Sequence, residues 1–238
     1  MAAQTPDAQL VYAAIRGDLN ALEQAIAQGA NVNARNSPTG VGDDNTALMW
    51  AAAEGHSDIT HRLLESGAEI NVSNSANYTA LMYAAEAGRY DVITALLDRH
   101  ADISPLNRYR ETILMAVARA GFADLCDRLV RLGSDVNAVN WIGDTALYLA
   151  VEHGHSHVIR TLIDQGAEVN TQNRGDWTPL MMASARGDLN IMEILLTHEA
   201  DGTVHSSWGS SVWQEAQKSV RSRQALALLK EHGITETS

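Results

Sequence analysis

The strongest constraint in this chain is a segment that recurs at a fixed step of 33 residues. TALMWAAAEG begins at Thr46, TALMYAAEAG at Thr79, TILMAVARAG at Thr112, TALYLAVEHG at Thr145 and TPLMMASARG at Thr178. Nine positions after each Thr stands Gly55, Gly88, Gly121, Gly154 or Gly187. Further on come Gly67, Gly133 and Gly166, with His100 and Glu199 in the two remaining copies. Upstream, AQLVYAAIRG repeats the frame from Ala8, and five extra residues fall within SPTGVGDD before Thr46. Downstream, Ser211 and Leu228-Leu229 keep the register while the glycines are lost. A short copy cannot bury its apolar face alone, so successive copies must stack and share a continuous core. One elongated domain of six repeats and a terminal cap is therefore expected.

Within one copy, Thr46, Thr79, Thr112, Thr145, Thr178 and Ser211 suit a helix N-cap, because the hydroxyl accepts from an unpaired first-turn amide. Pro179 suits the position after it. Leu two residues on, followed by Ala or Val, gives a first helix one apolar face, which the Gly ends. A second helix carries Ile59, Val92, Leu125, Val158 or Ile191, then an apolar pair such as Leu63-Leu64. Asp58, Asp91 and Asp124 fall in its first turn, where a carboxylate complements the helix dipole. An extended, hairpin-like loop follows, braced by Asn36, Asn74, Asn107, Asn140 and Asn173 through local side-chain to backbone bonds.

These residues resemble the ankyrin-repeat family, whose T-P-L-H-x-A-A, G-H, L-L and G-A-x-V-N elements are matched over about residues 5–232. The His of the first element is replaced by Met49, Met82, Met115, Tyr148 and Met181. The resemblance implies an all-α ankyrin-repeat solenoid with repeats at about 5–36, 42–74, 75–107, 108–140, 141–173 and 174–206. A C-terminal cap at 207–232 and a loose tail at 233–238 complete the expectation. Gln214, Glu215, Gln217, Lys218, Arg221 and Arg223 would give the cap its polar outer side.

Chemistry is sparse. The sequence shows no Walker A, Rossmann fingerprint, nucleophile elbow or HExxH motif. His153-Gly-His155-Ser-His157 crosses a turn without a cysteine partner; His155 and His56 stand at the Gly-His position, where the imidazole bonds backbone between repeats. No metal and no cofactor are expected. Cys126 is the single cysteine and falls at a core position of a second helix, which rules out an intrachain disulfide. Asn33, Asn71, Asn137 and Asn170 stand where some ankyrin proteins are hydroxylated, and loop bracing is the simpler role. The net charge of −12 repels phosphate and disfavours nucleic acid. The opening residues lack a basic and an apolar signal region, and no long apolar run appears. A cytoplasmic monomer without membrane contact is the expectation.

Members of the family bind proteins through hairpin tips and the edge of the first helix, which line a concave face. Carried over by position, that implies Tyr78, Glu86, Arg108, Tyr109, Arg119, Trp141, Asp144, His153, Arg174, Trp177, Arg186 and Trp208 as partner-binding residues. Gly42, Asp43, Asn45 and Glu54 are the corresponding positions of the second copy, and Ile142 and Glu152 join the set in the fifth. Trp, Tyr and Arg dominate interface hot spots, although a tip aromatic can instead pack on its neighbour. The expected function is a non-enzymatic interaction module, an inhibitor or immunity-type protein or an adaptor. The alternative is an enzyme with a site near Glu152 and His153. From the second copy to the sixth, the face carries six acids (Asp43, Glu54, Glu86, Glu111, Asp144, Glu152) against four arginines (Arg108, Arg119, Arg174, Arg186). Most of the acid excess therefore lies elsewhere.

Overall fold

A computed structural model describes residues 5–35 and 44–236. Asn36, Gly42, Asp43 and the inserted SPTGVGD lie outside the described residues. The chain forms two compact units, Met1–Arg108 and Tyr109–Ser238. Among the described residues, the first holds three helix pairs: α1 (Pro6–Arg16) and α2 (Leu19–Ala27), α3 (Ala47–Glu54) and α4 (Ser57–Glu65), α5 (Ala80–Glu86) and α6 (Tyr90–Asp98). The second holds four: α7 (Ile113–Ala120) and α8 (Ala123–Arg131), α9 (Ala146–His153) and α10 (Ser156–Asp164), α11 (Pro179–Arg186) and α12 (Leu189–Thr197), α13 (Val212–Lys218) and α14 (Ser222–Glu231). The described secondary structure is otherwise two isolated bridges, Arg35 to Thr46 and His205 to Ser211. In each unit, first helices pack on first helices and second on second: α1 on α3 on α5, and α7 on α9 on α11 on α13.

The capping expectation holds throughout. Met49, Met82, Met115, Tyr148 and Met181 donate their backbone N–H to the Oγ1 of Thr46, Thr79, Thr112, Thr145 and Thr178 at 3.2–3.3 Å. Ser211 goes further and forms a reciprocal capping box with Gln214, satisfying two otherwise orphan donors at the start of the last pair. The same Met and Tyr side chains lie in the core, as do Leu48, Leu81, Leu114, Leu147 and Leu180. Thus the Met that replaces the family's His extends the apolar packing of the first-helix row.

A second device joins successive pairs. The residue after the helix-ending Gly reaches back to the preceding first helix: His56 Nε2 donates to the Ile15 carbonyl at 3.1 Å, and His155 Nε2 to the Arg119 carbonyl at 2.9 Å. Arg89 does the same with its guanidinium, Nε to the Ala53 carbonyl at 3.0 Å. Each donor caps helix-end carbonyls that would otherwise be unpaired. The Val-Asn asparagines bridge copies in the same way. Asn137 accepts from Glu168 N at 2.9 Å and donates to the Gly166 carbonyl, and Asn170 repeats this with Asp201 and Glu199. His100 and Glu199, which interrupt the glycine series, keep its left-handed backbone at φ 59° and 61°.

Two expectations for the C-terminal end are corrected. Glu215 does not face water; it is buried and accepts from Lys218 Nζ at 2.7 Å, because its position in α13 turns inward. Nor is the whole tail loose: Ile234 is buried, its N–H is bonded to the Leu229 carbonyl, and a Cβ at Gly202 would collide with its side chain.

Cys126 is fully buried in α8, and burial, aided by the nearby Asp124 charge, pushes its thiol up to about 12. Thiolate is the reactive form. A disulfide reagent at pH 8 should therefore label Cys126 at least about a hundredfold more slowly in the native protein than in guanidinium. Equal rates would show the thiol to be accessible.

Candidate protein-interaction site

The loop between copies is a tight hairpin built around one asparagine. Between the fourth and fifth copies Asn140 Oδ1 accepts from Ile142 N and Asp144 N at 3.0 and 2.9 Å, and the Asn140 N–H pairs with the Asp144 carbonyl. Asn74 and Asn173 make the same bonds in their copies, and Ser206 accepts from Ser210 N in the last. The turn requires a left-handed residue two before the capping Thr or Ser: Asn77, Arg110, Gly143, Asp176 and Gly209 all have φ between 55° and 82°. Within the C-terminal unit, tips are also stitched to each other. Trp141, Arg174 and Ser207 donate their N–H to the carbonyls of Tyr109, Ile142 and Gly175 at 2.8–3.1 Å. The tips therefore present their side chains from a braced backbone.

The positions expected to meet a partner divide into two groups. Tyr78 and Asp144 were expected at a surface free of packing duty, and both are buried, at 7% and 4% exposure. Tyr78 lies against Tyr83, its hydroxyl donates to Glu86 Oε1 at 2.8 Å, and Asn107 Nδ2 donates to the same oxygen. Burial and then that bond push the Tyr78 phenol up to about 12. Asn45, also buried, accepts from Asn74 Nδ2 at 2.7 Å. Beside it, Asp44 accepts from Ser75 N and pairs with Arg35; the Ser75 bonds first, and Arg35 after them, hold its carboxyl down at about 2. Aromatic and polar tips of the N-terminal unit are thus largely occupied by one another. Arg108 is exposed.

In the C-terminal unit, Arg119 pairs with Glu111 at 2.8 Å. Asp144 accepts from Asn173 Nδ2 at 2.9 Å; its carboxyl is raised above the ordinary value, first by burial, with Glu152 and Glu111 adding repulsion. Burial, Asp144 and Glu152 likewise raise the Tyr148 phenol. His153, half-exposed, donates Nδ1–H to the Leu149 carbonyl at 3.0 Å, has Glu152 at 3.8 Å and stacks on His155. Trp177 is half-buried, while Arg174 and Arg186 are exposed. The exposed apolar tips are Tyr109, Trp141 at 52%, Ile142 at 58% and Trp208 at 86%.

Sequence reasoning missed two things here. Arg110 is exposed at the left-handed turn position, where it projects from the same tip as Tyr109. The second is the coupling between the residue before the capping Thr and the one eight positions later. Tyr78 with Glu86, Glu111 with Arg119, and the repelling pair Asp144 and Glu152 all follow it. That spacing, with complementary chemistry in two of the five copies, was the available signal.

A family model described as ankyrin repeats in three copies matches residues 10–107 and 113–207. The chain belongs to the ankyrin-repeat family. Among solved structures, this ankyrin-repeat chain is similar to the ankyrin repeat domain of human ASB11. That match has 24% sequence identity and a TM-score of 0.79, and it covers 92% of this chain and 96% of that one. The likeness bears on the fold alone, an all-α stack of helix pairs. No curated protein matches the chain. Ankyrin repeats generally mediate protein–protein interaction, and the fold is typically a non-enzymatic scaffold.

Proposed function

We propose that this ankyrin-repeat chain is a non-enzymatic binding module that takes a protein partner on the hairpin tips and first-helix edges of its C-terminal unit. The observation that carries the reading is the exposure of Trp141, Ile142 and Trp208 on tips whose backbone is hydrogen-bonded in place. Large apolar side chains held out from a rigid frame lower solubility unless covered, and they lose little conformational freedom when a partner covers them. Within this reading the chain acts in the cytoplasm as a monomer. It either blocks an enzyme's active site, as an inhibitor or immunity-type protein does, or bridges two proteins as an adaptor.

The double variant Trp141→Ala, Trp208→Ala tests the placement. Both side chains are half or more exposed, so the thermal midpoint should stay within a degree or two while partner recovery in a quantitative affinity purification falls at least about tenfold. Undiminished recovery would move the site off these tips.

A further inference from the structure

The charge that this C-terminal face offers to solvent is opposite in sign to that of the chain. Formally its acids and bases are balanced, but the structure sorts them unequally. Asp144 is buried under Asn173, Glu111 is tied to Arg119, and Asp176 accepts from Ser207 Oγ. Glu152 and Asp176 remain as the partly exposed acids, since a hydroxyl donor leaves the Asp176 charge in place. Arg110, Arg174 and Arg186 are exposed, and no ion pair engages them among the described residues. Three available guanidinium groups therefore share the unit of Trp141, Ile142 and Trp208, Arg110 and Arg174 on the hairpin tips and Arg186 at the C-terminal end of α11 near Gly154, on a protein whose net charge is −12.

We infer that the partner presents to this face an acidic protein segment, with carboxylates for Arg110, Arg174 and Arg186 interspersed with apolar side chains for the exposed tips. This rests on the protein-binding reading above and names the chemistry of what is bound. Arginine suits carboxylate because its planar fork can donate two parallel N–H bonds. Arg110 and Arg174 on braced tips and Arg186 at a helix end are placed to fix register and to speed encounter, while the aromatic tips supply contact area. The same acidic segment would be repelled by most of the remaining surface, which confines it to this face. A single-stranded nucleic acid also combines anions with stacking surfaces. It is the weaker fit, because strong binding to phosphate needs many basic contacts and gains nothing from the acidic remainder.

The test is a selection of random 15-residue peptides displayed on phage against the immobilised full-length chain. The enriched peptides are then synthesised and titrated against wild type, the triple variant Arg110→Glu, Arg174→Glu, Arg186→Glu, and the Trp141→Ala, Trp208→Ala variant. A 20-nucleotide oligothymidylate is the competing probe. Enriched sequences should carry net negative charge with aromatic or aliphatic residues between the acids. The arginine variant should bind them at least about thirtyfold more weakly, and wild-type affinity should fall as salt rises. Peptides that are neutral or basic, an absence of enrichment, or affinity unchanged in the arginine variant would overturn the inference. So would tighter binding of the oligothymidylate than of any peptide. If the tryptophan variant loses the peptides while the arginine variant keeps them, the docking site stands and only its acidic preference fails. If neither variant loses them, both readings fail.

Discussion

Gly121→Ala should lower the stability of the C-terminal unit by about 2–3 kcal/mol, whereas Gly133→Ala, a change of equal size, should cost about 1–2 kcal/mol. Both glycines are left-handed, at φ 90° and 102°, so both substitutions carry the strain of a Cβ against its own backbone, about 1–2 kcal/mol. They differ in surroundings. A Cβ on Gly133 meets nothing within 4 Å, but one on Gly121 would come to 2.8 Å from the His155 imidazole. That ring is held by its bond to the Arg119 carbonyl, so it must swing away and lose the bond, for about 1 kcal/mol more. Denaturant midpoints of the two variants decide the matter. In a His155→Ala background the excess cost at Gly121 should disappear, since the obstructing ring is gone. Equal costs for the two glycines in the wild-type background would mean that backbone strain alone fixes this Gly.

The same contact shows how far the repeat could be read from residues alone. Register, both helices of each copy, the Thr caps and the backbone-bonding role of His56 and His155 were legible because each is one residue type recurring at one position. The left-handed hairpin position was not, because Asn77, Arg110, Gly143, Asp176 and Gly209 share a backbone angle and no side-chain chemistry. For the site, the exposed Trp141, Ile142 and Trp208 followed from position, whereas Tyr78 and Asp144 did not. Carrying a position over from a family assigns a place on the loop, but burial depends on the partner supplied by the neighbouring copy. Asn173 covers Asp144 in this way, and Asn107 joins Tyr78 on Glu86. The asparagine pairings are 21 to 29 residues apart in sequence and become visible only when the copies are stacked.

Asn173→Ala should cost about 3–5 kcal/mol at pH 7. The side chain has three tasks. Its Oδ1 accepts from Gly175 N and Trp177 N at 2.9 and 3.1 Å, and its Nδ2 donates to Asp144 Oδ1 at 2.9 Å. The lost acceptor leaves two hairpin amides without their partner, at about 1 kcal/mol each. The lost donor leaves a buried carboxylate with less to offset its desolvation and its repulsion from Glu152 and Glu111, for about 1–3 kcal/mol more. Only this last part depends on pH. Asp144 has a folded pKa above the unfolded value of 3.8, so its contribution to stability is fully present below that value and is lost as pH rises through the folded one. Removing the Asn173 donor raises the folded pKa further, so the deficit of Asn173→Ala should shrink as the solution is made acidic. Asp144→Asn offers the complementary check. It keeps an oxygen for Asn173 and removes the buried charge, so by itself it should stabilise the protein at neutral pH. In that background Asn173→Ala should lose only its hairpin part and become insensitive to pH. A deficit that is the same in both backgrounds and flat with pH would show that the Asp144 carboxylate has no share in the cost. Because this hairpin also carries Arg174 and Trp177 and donates the Arg174 N–H to the Ile142 carbonyl, the variant should weaken partner capture as well, through loosened presentation of residues it leaves chemically intact.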